Sequence, residues 1–429
     1  MPWTKTRADL ALATLAEVIQ KLSGYAVLAI LARHFDQPRM GKLFFAMALA
    51  SVIAAGTELG TSRYLVRAVA TGPEAALRRL GEVVALRAPL ALGAFLLLAA
   101  GVRLIRPELT PIVLPAVAAG LLNDLSYTFG AFLIGRREVG LRIAAGLSGP
   151  AALVTLVAVA VSRDATLEQV LLCYVAAAVV PLTALAVVVR RRFGPVPLRG
   201  TGAGATAAAR TSLPFFLLTA LGVIHFKVDA LLLFALATPA AVAIYEAGYK
   251  LFEVSRFVVR PTATVFFPVS STLAGRGDWA GFERMLRRLL TVSGGVATAI
   301  SVGVLLAADL IVRLAWGDGY GDTVAVLRIL YLAVPAVYLG FVVTFIAGAL
   351  HLEATAAKVL GVCLVANVTL NLLTIPRWGP IGAAWSTLLT ETLATVWLLR
   401  LVHRALREKR VSETAEPMPG ASVELLADG

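Results

Sequence analysis

Five ionisable residues in one otherwise apolar stretch raise the question of chemistry: Glu246, Lys250, Glu253, Arg256 and Arg260. At 100° per residue they fall within an arc of about 120° on a helix, with Tyr249 on the same side and Leu251, Val254, Val258 and Val265 opposite. Two chemistries fit such a stripe. It can pair with itself, Glu246 with Lys250 and Glu253 with Arg256, as ordinary helix ion pairs, while Arg260 snorkels to a surface. It can instead form a wet, charged wall whose surplus of cation takes an anion. Arg grips phosphate or carboxylate with a planar fork, and Lys does so as a point charge.

Other apolar stretches carry similar groups. His225 and Asp229 are one helical turn apart and could pass protons or simply satisfy one another, with Lys227 pointing away from both. Glu17 and Lys21 have the same spacing and read as an internal pair or as part of a polar wall. Arg87 has no acid within a turn, so its partner must come from another helix or from a ligand. Asn123, Asp124 and Tyr127 form a polar patch, Asn367 and Asn371 stack one turn apart, and Glu391 stands alone in its stretch. The resulting candidates for binding an anion are Lys21, Arg87, Lys227, Lys250, Arg256 and Arg260. Those for proton or ion coupling are Glu17, His225, Asp229, Glu246 and Glu253.

Catalytic patterns are missing. The chain has no Walker loop, and His34, His225, His351 and His403 are scattered without metal-ligand spacing. Only two cysteines occur, Cys173 and Cys363, which excludes a disulfide-stapled fold and a Cys-based metal site. No cofactor, no metal and no enzymatic activity are expected.

The elements that must hold these residues follow from composition. Of 429 residues, 59% are hydrophobic and only 15% charged, against roughly 25% charged in soluble domains. Twelve stretches reach the roughly 20 apolar residues needed to cross a bilayer, near 10–32, 43–62, 81–102, 111–134, 143–162, 168–189, 213–237, 241–268, 290–314, 323–349, 355–375 and 380–402. Their continuous apolarity argues for helices rather than a β-barrel. The first follows Lys5 and Arg7 as a signal peptide would, but its length, Glu17 and Lys21 make it a retained anchor. With the amino terminus cytoplasmic, basic residues of the inner segments outnumber those of the outer ones three to one, the positive-inside pattern. The net charge of +13 is then a matter of topology, and nucleic-acid binding loses its support.

The expected fold is therefore all-α: a polytopic membrane protein with about twelve transmembrane helices in two six-helix lobes, both termini cytoplasmic. The lobes are 1–195 and 213–405, joined by a cytoplasmic linker over 196–212 that follows Arg190-Arg191-Arg192. Residues 406–429 form a cytoplasmic tail expected to be disordered. A cationic cavity between the lobes would suit a phosphate-bearing anionic amphiphile.

Several landmarks lie in a familiar order. Phe35-Asp36-Gln37-Pro38-Arg39-Met40-Gly41 precedes the second stretch, which closes with Leu59-Gly60 and Arg63-Tyr64-Leu65-Val66-Arg67. Lys227-Val228-Asp229 is followed by Ala243-Ile244-Tyr245, Tyr249-Lys250-Leu251, Pro268 and the segment Phe282 to Arg288. Then come Trp316-Gly317-Asp318-Gly319-Tyr320, Asn367 with Asn371, and Ile375-Pro376-Arg377-Trp378-Gly379-Pro380-Ile381-Gly382. Over roughly residues 5–405 the chain resembles the Wzx-like polysaccharide or oligosaccharide flippases. They belong to the MOP superfamily, together with MATE-type multidrug exporters and peptidoglycan lipid flippases. Ala243 stands where the family usually has Gly.

The resemblance implies a MATE-like, two-lobed transporter in the bacterial cytoplasmic (inner) membrane. It would carry undecaprenyl-diphosphate-linked oligosaccharide, a repeat unit of O-antigen, capsule or exopolysaccharide, from the inner to the outer leaflet. Access would alternate by a rocker motion driven by an ion gradient or the membrane potential. Implied partners are the lipid-linked anionic oligosaccharide, membrane lipids and a glycan polymerase or export machinery. Two alternatives stay open: a MATE-like cation-coupled drug antiporter, which would want an acidic cavity, and a membrane polymerase or ligase of lipid-linked glycans, which would want longer outer loops.

Overall fold

A backbone crossing hydrocarbon must satisfy every amide within its own segment, so long apolar runs separated by short polar breaks have to fold as helices. The computed structural model describes residues 2–198 and 202–415, and among these there is no β-strand. In chain order the helices are α1 (Pro2–His34), α2 (Gln37–Glu58), α3 (Thr61–Thr71), α4 (Ala76–Ile105), α5 (Thr110–Gly135), α6 (Val139–Gly146), α7 (Ser148–Val161), α8 (Leu167–Phe193), α9 (Gly202–Leu236), α10 (Pro239–Gly275), α11 (Trp279–Trp316), α12 (Thr323–Leu332), α13 (Val334–Ala349) and α14 (Glu353–Ala415).

The sharp starts have local causes. Asp36 is extended and its carboxylate accepts the Arg39 amide at 3.0 Å, while Pro38 presets the first turn of α2. Thr166 and Gln169 exchange side-chain and backbone bonds in a capping box at α8.

Nine helices among the described residues are long and apolar enough to cross a membrane, or ten when the bent pair α12 and α13 is counted as one span. Two features separate that number from the twelve stretches read in the sequence. Helix α10, 37 residues long and carrying the charged stripe, is not among the nine. Helix α14 is two helices joined at Gly379, whose φ of 53° only glycine adopts without strain and which Pro380 follows. Large apolar side chains face outward along several helices: Leu97 is 77% exposed and Leu306 82%, a surface suited to lipid tails.

Contacts divide the chain into two compact units, Met1–Glu246 with Ala315–Tyr320, and Ala247–Leu314 with Gly321–Gly429. In the first, α5 packs on α8 and α2, and α9 lies against α2, α3 and α4. Its core gathers Leu65 and Val69 of α3, Leu80 and Val83 of α4, Phe132 and Leu133 of α5, and Leu185 and Val189 of α8. In the second, α14 packs against α12 and α13. Helix α9 begins at Gly202, so helix occupies part of the segment expected to be a linker. Helix α14 likewise continues to Ala415, into the expected disordered tail, whose last residues, 416–429, lie outside the described residues.

The motif ending in Met40-Gly41 has a packing reason. A Cβ on Gly41 would stand 1.6 Å from the carbonyl oxygen of Pro239, so only glycine admits the start of α10 there. Gly41→Ala should therefore destabilise the protein by about 1–3 kcal/mol, measured as a lower midpoint for loss of monodisperse protein on heating. An unchanged midpoint would contradict this contact.

Candidate functional site

The stripe on α10 keeps the two-sided character its spacing implies. Val254 and Val258 of the opposite face are 43% and 53% exposed, whereas Glu246 is 2% exposed and the Lys250 and Arg256 side chains are largely covered. Its ion pairs include two that spacing alone did not suggest. Lys250 bonds Glu253 at 3.1 Å, one step along the stripe. Arg256 reaches out of its own helix to Glu391 of α14, also at 3.1 Å, with its guanidinium over the Phe252 ring at 5.6 Å. Glu391, unplaced by sequence, thus has a cation 135 positions away. The side chain of Arg260 lies outside the described residues.

Neighbouring helices brace this wall. The hydroxyl of Tyr331 donates to the Leu251 carbonyl at 2.9 Å, and that of Tyr338 to the Ser255 carbonyl. On α14, the Asn371 amide donates to Asn367 at 3.0 Å, and the Asn367 amide to Thr390 at 3.3 Å across the Gly379 bend. The Asn pair therefore ties the two halves of α14 together.

The first unit holds a second buried cation. Arg87 is 2% exposed in α4, and α5 supplies both of its partners, the Asp124 carboxylate and the Thr128 hydroxyl. Sequence required such a partner without naming it. The signal was present, since an isolated Asp124 in one apolar stretch and an isolated Arg87 in the preceding one balance in charge. Asp229 of α9 is buried and accepts the Tyr245 hydroxyl at 2.6 Å. Tyr245, one of the sequence landmarks, thus joins the start of α10 to α9. His225 and Lys227 are half-buried on α9, Lys21 is half-buried and Glu17 exposed on α1. Among the described residues no three His, Cys, Asp or Glu side chains are grouped to hold a metal.

Such geometry defines a class first: a bundle of membrane-length helices with charges turned inward and paired. Known folds agree. The chain is similar to an inward-facing multidrug resistance MATE-family transporter of the MOP superfamily, with a TM-score of 0.75 and 13% identity over 94% of this chain and 99% of the other. It is also similar to the lipid II flippase MurJ in its inward closed conformation, with a TM-score of 0.74 and 11% identity over 94% and 90%. At these identities the likeness concerns the fold. Residues 7–274, more than half of the chain, match the family described as polysaccharide biosynthesis protein, and the chain belongs to that family. It is 29% identical over 183 residues to the probable flippase AglR of Haloferax volcanii. The match covers 42% of this chain and only 38% of that relative.

Because Glu391 and Arg256 are each largely covered, removing one takes a close counter-charge from the other in a place water reaches poorly. Arg256→Ala should lower stability by about 3 kcal/mol, and adding Glu391→Ala should recover most of that loss in thermal unfolding. Additive losses in the double variant would show that the pair is not coupled.

Proposed function

We propose that this protein is a flippase that moves undecaprenyl-diphosphate-linked oligosaccharide from the inner to the outer leaflet of the bacterial cytoplasmic membrane, and that it acts as a transporter rather than an enzyme. The observation that carries the reading is the inward-turned charge on a membrane-length helix, α10, in a chain of the polysaccharide biosynthesis family. Charge at membrane depth costs roughly 2.5–3.5 kcal/mol per group on insertion scales and is retained where it meets a polar path. A diphosphate headgroup supplies the complementary charge. The name of the partial relative, a probable flippase, supports the same class.

In this reading Lys21, Arg87, Lys227, Lys250, Arg256 and Arg260 give a cationic cavity its charge. Lys250 and Arg256 exchange their carboxylate partners for the diphosphate. Arg87, held by Asp124 and Thr128, sets the charge balance of the first unit. Glu17, His225, Asp229, Glu246 and Glu253 are the candidates for coupling transport to a proton or ion. Two lobes, 1–195 and 213–405, joined by the linker 196–212, alternate access to the two leaflets, with both termini cytoplasmic. A glycan polymerase or export machinery takes the product on the far side.

The test is the leaflet distribution of lipid-linked oligosaccharide in a deletion strain, read with a membrane-impermeant sugar probe on right-side-out and inverted vesicles. Trapping on the cytoplasmic face is expected, with failure of Lys250→Ala and of Arg256→Ala/Glu391→Ala to restore delivery although both remain in the membrane. Normal delivery to the outer leaflet in the deletion strain would refute the reading. Resistance to drugs on overexpression with no glycan defect would point to the antiporter alternative, and single repeat units accumulating outside would point to a polymerase or ligase.

A further inference from the structure

A cavity of about 340 Å³ lies wholly within the first unit, lined among others by Glu58, Ser62, Arg63, Asp124, Tyr127 and Arg142. Small-molecule sites typically begin near that size. Two acids and two cations line it, so its character depends on which of them are already engaged. Glu58 is 8% exposed, and both of its carboxylate oxygens are taken at 2.7 Å by the backbone amides of Gly60 and Ser62. The start of α3 is thus closed by a carboxylate of the protein itself. Asp124 is held by buried Arg87. By contrast, among the described residues neither the Arg63 nor the Arg142 side chain makes an ion pair or hydrogen bond. Arg142 lies across the bare backbone of Gly130, and Arg63 is exposed. Tyr127 is 51% exposed and adds an aromatic ring to the lining of the same cavity.

We infer that this cavity is a phosphate-recognition site, distinct from the stripe on α10, in which Arg63 and Arg142 take the phosphate of a membrane-borne lipid and Tyr127 offers its ring to the group attached to it. Two guanidinium forks fit phosphate oxygens bidentately, and a phenol ring accepts the apolar face of a sugar. Arg87 offsets Asp124, and Glu58, held by backbone amides at the start of α3, offsets one guanidinium at most, so the bound anion meets a net surplus of positive charge from Arg63 and Arg142. Arg87 contributes indirectly, as a positioning residue that keeps Asp124 from neutralising Arg63 or Arg142. The phosphate has two possible sources, an isoprenoid diphosphate carrier or an ordinary anionic phospholipid. The first deepens the transport reading and rests on it; the second does not.

The experiment measures binding of a fluorescent farnesyl diphosphate to the full chain in nanodiscs of zwitterionic lipid. Arg63→Gln and Arg142→Gln are each expected to weaken binding about tenfold or more, since a charge-assisted hydrogen bond contributes at least that factor. Arg67→Ala, exposed one turn further along α3, should bind as the wild type does. Asp124→Asn, which removes a negative charge from the cavity lining, should strengthen binding, an outcome that a merely structural role for the cluster would not produce. Displacement by phosphatidylglycerol doped into the nanodisc would identify phospholipid as the source, and its failure to compete would identify the isoprenoid diphosphate. Wild-type binding by the correctly folded Arg63→Gln/Arg142→Gln double variant would overturn the site. That result leaves the transport reading standing if Lys250→Ala still loses delivery. Loss of binding in the double variant, with normal leaflet distribution in the deletion strain, would keep the site and remove the transport reading.

Discussion

Everything polar in this structure answers to one constraint: a charge at membrane depth must find its counter-charge inside the protein. Arg256 and Glu391 show the constraint most directly. They lie on different helices, and together they tie α10 to the last part of α14. The same rule joins Arg87 to Asp124 and Thr128, Lys250 to Glu253 and Asp229 to Tyr245. Remove these pairings and α10 is too charged for the hydrocarbon; keep them and it is a helix with one polar face and one face for lipid.

The constraint also connects architecture to transport. A guanidinium held by a carboxylate can pass to a phosphate without being stripped of charge-assisted bonds at any stage, because one such bond replaces another. In the proposed mechanism this lets the cationic wall take and release its cargo without the large penalty of an unpaired buried charge. The tyrosine hydroxyls that bond the Leu251 and Ser255 carbonyls hold the wall's backbone in place. Such bracing keeps the exchange confined to side chains.

How much of this was legible in the sequence depended on range. Period and apolarity are local, so the helices and the two-sided character of α10 could be read directly, and the ordered landmarks indicated the family. The stripe's partners were less accessible. An i to i+4 rule offers Lys250 to Glu246 and does not name its bond to Glu253, which rotamer and surroundings decide. Arg256 has an acid three residues before it, but its bond to Glu391 is made by tertiary packing, and no local rule names it. Arg63 and Arg142 read as ordinary basic residues between spans. What distinguishes them is that the nearby acids Glu58 and Asp124 are already engaged, which no local pattern records. Likewise, Gly41 was visible as part of a motif, but its reason, the approach of Pro239, is a long-range contact.

The central claim is that paired membrane-depth cations serve a phosphate-bearing lipid. It is tested most directly with purified protein in liposomes, comparing transbilayer movement of a short-chain prenyl-diphosphate sugar with that of the matching prenyl glycoside lacking phosphate. The account predicts that the diphosphate compound moves and the neutral glycoside does not, and that this preference disappears in Lys250→Ala. Equal movement of both compounds would contradict it.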